Sequence, residues 1–399
     1  MPSAPSRLAA YLATATLARS ATESTGPAIL IVAISVLGSA TSGSYVSASV
    51  TGAAAVGGPI LGALIDRSAH PRRLFLVGMA VLAAGLAIID ATIGRIPLPL
   101  VITVAIVAGF GYPVIIGAWS AQVPRIVAPD RVRHALSLDA STYSIAAVAA
   151  PPLASALVVV NGRAPLWLPI VLLVLSILVL SRLHLPPAVH VGEPTRLVHD
   201  LRDGMRTLVA RPALRRTTII TVIGFGGTAP FFIAAPVLSQ HLTGGLGLTG
   251  VILAAFAIGG VLVALWVARH PVRRPDRTIL AATLLSAFFL AGVGLAPNVP
   301  LLLTFSFLMG AAESPLLSAM FQVRTRESPA RLQAQVFTFS SSLRMASFAL
   351  TSAACGLLLH LGYGWVIALG VVLHVGSLVV GVVLGPRLPH RRHWLGARD

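Results

Sequence analysis

Lysine is absent from this 399-residue chain; all 29 basic residues are arginine, set against 12 acids. Charged residues amount to only 10% of the whole, where a soluble domain carries about 25%. A soluble fold of this size would have too little polar surface to wet, which excludes the soluble classes, soluble enzymes among them. Cysteine is as scarce. Cys355, the one thiol, cannot form an internal disulfide and is expected to pack as a small buried hydrophobe. No residues stand at metal-ligand spacing and no nucleophile-and-base constellation appears. No metal, no cofactor and no catalysis are therefore expected.

What is plentiful is apolar: 56% of residues are hydrophobic and the mean hydropathy is +0.88. A transmembrane helix needs roughly 20 mostly apolar residues. Twelve segments qualify, near 9–37, 43–65, 73–92, 98–122, 137–160, 165–181, 217–239, 247–268, 278–296, 299–322, 336–359 and 364–384. These runs are too long for barrel strands, so the expected fold class is an all-α polytopic membrane protein. The formal charge of +17 would suit a nucleic-acid binder if it formed one basic face. Instead all but four of the arginines lie at the N-terminus, in alternate gaps, or in the tail. The exceptions are Arg95 and Arg163 in the other gaps and Arg19 and Arg344 within spans. Such one-sided alternation places both termini in the cytoplasm. A multi-pass protein of a bacterial inner membrane is expected, with the lipid bilayer and no nucleic acid as its surroundings.

The longest gap divides the chain into residues 1–181, a central loop at 182–216, and 217–399. In that loop Thr195 is a candidate N-cap, and Leu197, Leu201, Met205 and Leu208 recur at helical spacing, an amphipathic helix for the membrane surface. The two halves also match at one constant offset. His70-Pro71 meets His270-Pro271, Gln122-Val123 meets Gln322-Val323, and Pro129 and Arg131 meet Pro329 and Arg331. Internal repeats of this size are how many secondary transporters are built.

The end of the second segment and the gap after it read GALIDRSAHPRR. Gly62, Leu64, Asp66 and Arg67, closed by Arg72 and Arg73, resemble the Gly-x-Leu-x-Asp-Arg-x-Gly-Arg-Arg loop of the major facilitator superfamily, with Ala69 in place of the second glycine. The twelve-segment layout resembles the same family, in particular its drug and siderophore exporters. The resemblance implies two six-helix bundles that rock about a central cavity. It also implies a cytoplasmic latch of Gly62, Asp66, Arg67, Arg72 and Arg73, in which Asp66 meets the start of the eleventh helix. Ala150, Pro151 and Ala154 resemble, in degenerate form, the Gly-Pro-rich element of proton-driven exporters in the fifth helix.

Charges within spans are costly and are read as functional. Arg19 and Glu23 lie one turn apart in the first span and are expected to share a face. Glu23 is the candidate proton-coupling or substrate carboxylate. Burial disfavours its charge and Arg19 favours it; the competing reading is a self-neutralising pair. Glu313 and Arg344, in the other half, are the further candidates, either for coupling and anion binding or as partners of each other. Asp139 is expected to pair with a loop arginine, Arg67 or Arg131. Tyr112, Trp119, Tyr143, Phe231 and Phe232 are candidates to line the cavity, and the GFGGTAPF stretch (224–231) reads as a broken part of its helix. The expected protein is a monomeric secondary transporter, exchanging protons for a small, fairly apolar compound on its way out. The alternatives are an importer or uncoupled facilitator, or a non-transporting receptor on the same fold.

Overall fold

The computed structural model describes residues 4–68, 70–116, 119, 122–128, 131–183, 205–270, 272–329 and 333–384. Twelve main helices are found among them: α1 (Ala4–Leu37), α2 (Ala40–Arg67), α3 (Pro71–Thr92), α4 (Leu98–Gly109), α5 (Val132–Ala156), α6 (Trp167–Ser181), α7 (Pro212–Thr243), α8 (Leu248–Arg269), α9 (Pro275–Leu295), α10 (Val299–Glu327), α11 (Gln333–Leu358) and α12 (Tyr363–Val383). Nine helices among the described residues are long and apolar enough to cross a membrane. The helix α2, rich in Ser, Thr and Gly, is not one of them. The amphipathic segment predicted at 195–208 lies mostly outside the described residues; its last turn, 205–210, is helical, with Leu208 buried against Leu214 and Val336.

Segment boundaries follow local chemistry. Ser39 caps α2 by accepting the Ser42 N–H, and Asn298 caps α10 by accepting the Leu301 N–H, each at 3.1 Å. Gly244 ends α7 in the left-handed region at φ 70°. The fourth segment departs from expectation. Its helix stops at Gly109 and resumes at Pro113, described as far as Ile116, because Pro113 cannot donate a backbone hydrogen bond. The turn also lets Gly111 lie so close to the Gly78 carbonyl of α3 that a Cβ there would collide with it. The reverse correction applies to 224–231, which is unbroken helix inside α7 despite Pro230. Its glycines serve close packing instead: Gly226 abuts Ser347 and Thr351 of α11, and Gly227 abuts His374 of α12.

The halves pack alike. The pairs α1·α5, α1·α6, α2·α4, α3·α4 and α3·α6 of the first half recur as α7·α11, α7·α12, α8·α10, α9·α10 and α9·α12 in the second. One apolar core draws only on residues between Tyr11 and Leu183, a second on Phe231 to Ile367 together with Leu30 of α1. Across the halves, α2 lies along α11 and α5 against α8. The face at which α1 begins and α12 ends is here the terminal face. Toward the opposite face, Gly356 meets Ser44 and Tyr45, and Gly250 meets Pro152 and Ser155. Toward the terminal face, Gly58 meets Ser342. The outer surface is apolar, with Phe288 63% and Leu350 73% exposed, as a lipid-facing belt requires.

Candidate functional site

The charges that the sequence places within spans fall into three groups. In the first, Arg19 is 1% exposed and is held by α5, not by Glu23. Its Nη1 donates to Asp139 Oδ1 at 2.9 Å and to the Asp139 carbonyl at 2.7 Å, and its Nη2 donates to Oδ2 at 3.2 Å. Nη1 also donates to Thr142 Oγ1. Tyr11 adds a hydroxyl donor to Asp139 Oδ1 at 2.8 Å, and the guanidinium lies 3.6 Å above the Tyr143 ring. This two-pronged, fully buried pair overturns one expectation, the Arg19–Glu23 pair, and gives Asp139 a partner within the helices that the sequence did not suggest. The reason is tertiary. One face of α1 packs on α5, which brings a carboxylate to Arg19 with better geometry than a neighbour on its own helix offers.

Glu23 is thereby released. It is exposed and has no hydrogen bond or ion pair among the described residues. Its neighbour is Tyr112, close enough to sense its charge, whose hydroxyl donates to the Thr22 carbonyl at 3.1 Å. The second group is therefore an unpaired carboxyl midway along α1 with one phenol beside it.

The third group is in the other half. Glu313 Oε1 accepts from Thr228 Oγ1 at 3.3 Å and Ser286 Oγ at 3.4 Å, and it lies within electrostatic range of Arg344 and His374. Arg344 and Glu313 are near each other, as the sequence allowed, yet form no ion pair within 4.0 Å among the described residues. Instead Arg344 lies 4.2 Å over the Phe225 ring, with Nη1 3.8 Å from Met320 Sδ. His374 is buried, with Nδ1 2.8 Å from the Gly370 carbonyl.

The other candidates divide. Tyr112, Tyr143 and Phe232 are part-buried. Trp119 and Phe231 are core residues, not cavity lining: Trp119 stacks on Tyr11 and meets the edge of Phe75, and Phe231 packs on Phe256. Ala150 and Ala154 are buried and Pro151 is buried with them, on the helix whose Pro152 and Ser155 meet Gly250 of α8. Of the latch residues, the side chains of Gly62, Asp66 and Arg67 lie outside the described residues. Arg72 donates to the Ser181 carbonyl, where a cation suits the last turn of α6, and Arg73 is exposed. Two residues that sequence reasoning passed over are Tyr11 and Arg324. The second is fully buried, with Nη2 3.4 Å from Thr221 Oγ1.

Twelve helices in two repeats, an apolar belt and charges held between helices define a polytopic membrane protein of the secondary-transporter class. The family model of the Major Facilitator Superfamily matches residues 11–287, and the chain belongs to that superfamily. A relative in Sinorhizobium fredii, the uncharacterized MFS-type transporter y4rN, is 24% identical over 318 residues, covering 75% of this chain and 76% of its own. Among solved structures, the POT family transporter PepTSo aligns with a TM-score of 0.75 at 11% identity, over 96% of this chain and 98% of its own. The nucleoside transporter NupG aligns at 0.74 and 12% identity over 95% and 99%. The E. coli fucose:proton symporter FucP aligns at 0.63 and 12% identity over 96% and 100%. At such identities the structural likeness speaks for the fold alone.

Proposed function

We propose that this protein is a proton-coupled secondary transporter of the bacterial inner membrane, exporting a small, fairly apolar compound by alternating access as a monomer. The observation that carries the reading is Glu23. A charge inside a membrane protein is costly unless paired. The chain gives Arg19 a two-pronged ion pair and leaves Glu23, one turn away, without a hydrogen bond or ion pair among the described residues. Such a carboxyl can hold a proton in one state of the cavity and release it in another. Glu313, whose hydrogen bonds among the described residues come from two hydroxyls, is its counterpart in the second half. Both termini are assigned to the cytoplasm from the arginine distribution, and the latch of Gly62, Asp66, Arg67, Arg72 and Arg73 is assigned to closing that side. Export rests on the resemblance of Ala150, Pro151 and Ala154 to the exporter element, on the helix whose Pro152 and Ser155 meet Gly250 of α8, and on the wider resemblance to exporters.

The test uses three fluorescent amphiphiles, one cationic, one neutral and one anionic. Their accumulation is followed in cells carrying wild type, Glu23→Gln or empty vector, with and without a protonophore. The expected result is lower accumulation of at least one probe in wild type, a difference that the protonophore removes, and Glu23→Gln behaving as empty vector. Transport by Glu23→Gln at the wild-type rate would remove the coupling role. Higher accumulation in wild type would reverse the direction to import.

A further inference from the structure

Arg324 lies three residues from the end of α10 and is fully buried. Its side chain runs inward to Thr221 of α7, and its Nε and Nη1 have no hydrogen-bond partner. Arg344 of α11 approaches from the neighbouring helix, with a buried Nε also without a partner. The two guanidiniums are within electrostatic range of each other. No carboxylate lies within ion-pair distance of either among the described residues. The buried Thr218 hydroxyl, one turn from Thr221 on α7, is a further polar group without a hydrogen bond. Phe225, stacked under Arg344 and 5.4 Å from Phe348, forms an apolar wall beside them.

Arg324 is a buried cation with open donors and no carboxylate at ion-pair distance among the described residues, and the part-buried Arg344 beside it has Glu313 only at longer range, so neither has a paired counter-charge to offset its desolvation. The same chain shows how it holds such a group when the role is structural: Arg19, whose Nε is likewise without a hydrogen bond, gives both terminal nitrogens to the Asp139 carboxylate, with Thr142 and Tyr143 beside them. We propose that Arg324 and Arg344 form a receptor for an oxyanion, a carboxylate or phosphate-like group, borne by the transported compound. Guanidinium donors arranged in planar forks match such a group, and Phe225 and Met320 would face its apolar body. The inference rests on the transporter reading and deepens it: the small, fairly apolar cargo is an organic acid.

The test is thermal unfolding of the full chain in a neutral maltoside detergent, with benzoate, its uncharged analogue benzamide, sulfate, and phosphatidylglycerol as probes. A bound anion raises the midpoint of wild type. The expected results are a rise with benzoate and none with benzamide, and loss of that rise in Arg324→Met and Arg344→Gln. Without any probe, Arg324→Met is expected to unfold at a higher temperature than wild type, because it removes a buried, unpaired charge. If Arg324→Met does not fold, Arg344→Gln carries the comparison. Benzoate acting equally on wild type and variant, or no more than benzamide, would overturn the proposal. A response to phosphatidylglycerol alone would assign the site to a lipid headgroup and overturn its assignment to cargo. Binding is read here without transport. No anion effect in a wild-type protein that still moves a neutral probe would therefore remove this site and leave the transporter reading standing.

Discussion

Arg19 has two carboxylates within reach of its chain position, Glu23 one turn along α1 and Asp139 on α5, and the fold gives it the second. The pair is buried, with side chains 1% and 4% exposed, so removing one partner strands a charge. Arg19→Gln or Asp139→Asn is expected to cost about 3–5 kcal/mol. The double variant is expected to cost much less than the sum, since neither charge remains to be stranded. Denaturant unfolding of the four proteins checks this; additive losses would mean that the two do not act as a pair. Periodicity along one helix can propose the Arg19–Glu23 neighbour, but it contains nothing about which helix packs on α1, so the true partner was not legible. Arg324 escaped for a related reason: a span ending at 322 leaves it in a loop, whereas α10 continues to Glu327 and draws it inside.

At the scale of the element, the apolar runs located the helices well because membrane length leaves little freedom. Sequence reasoning failed where tertiary packing decides: Pro113 interrupts the fourth segment, while Pro230 is accommodated within α7. The contact between α8 and α10 depends on glycine on both sides. A Cβ on Gly310 would meet the Phe256 backbone carbonyl, and one on Gly259 would meet that of Phe307. Gly310→Ala is therefore expected to destabilise by about 1–3 kcal/mol, the usual cost of overpacking. Gly376→Ala, where an added Cβ meets nothing within 4 Å, is expected to be neutral or mildly stabilising. Thermal midpoints of the two variants compare them directly; equal losses would contradict the close α8–α10 approach.

For the whole molecule, the matching loops at one offset anticipated the repeat seen in the helix pairings, because both report the same six-segment unit. How the two units meet was not legible, since the residues at the junction are small and carry no pattern of their own. That junction runs along α2 and α11, where a Cβ on Gly58 would lie 3.3 Å from Ser342 Oγ. Alternating access requires the halves to part there once in each cycle. The most direct test of the account is a reversible lock: Gly58→Cys with Ser342→Cys, in a chain whose one native thiol is removed by Cys355→Ala. Oxidation should form the cross-link, stop movement of whichever amphiphile the wild type transports, and give full recovery on reduction. Transport continuing at the unlocked rate with the cross-link intact would contradict the claim that the two halves separate to carry cargo.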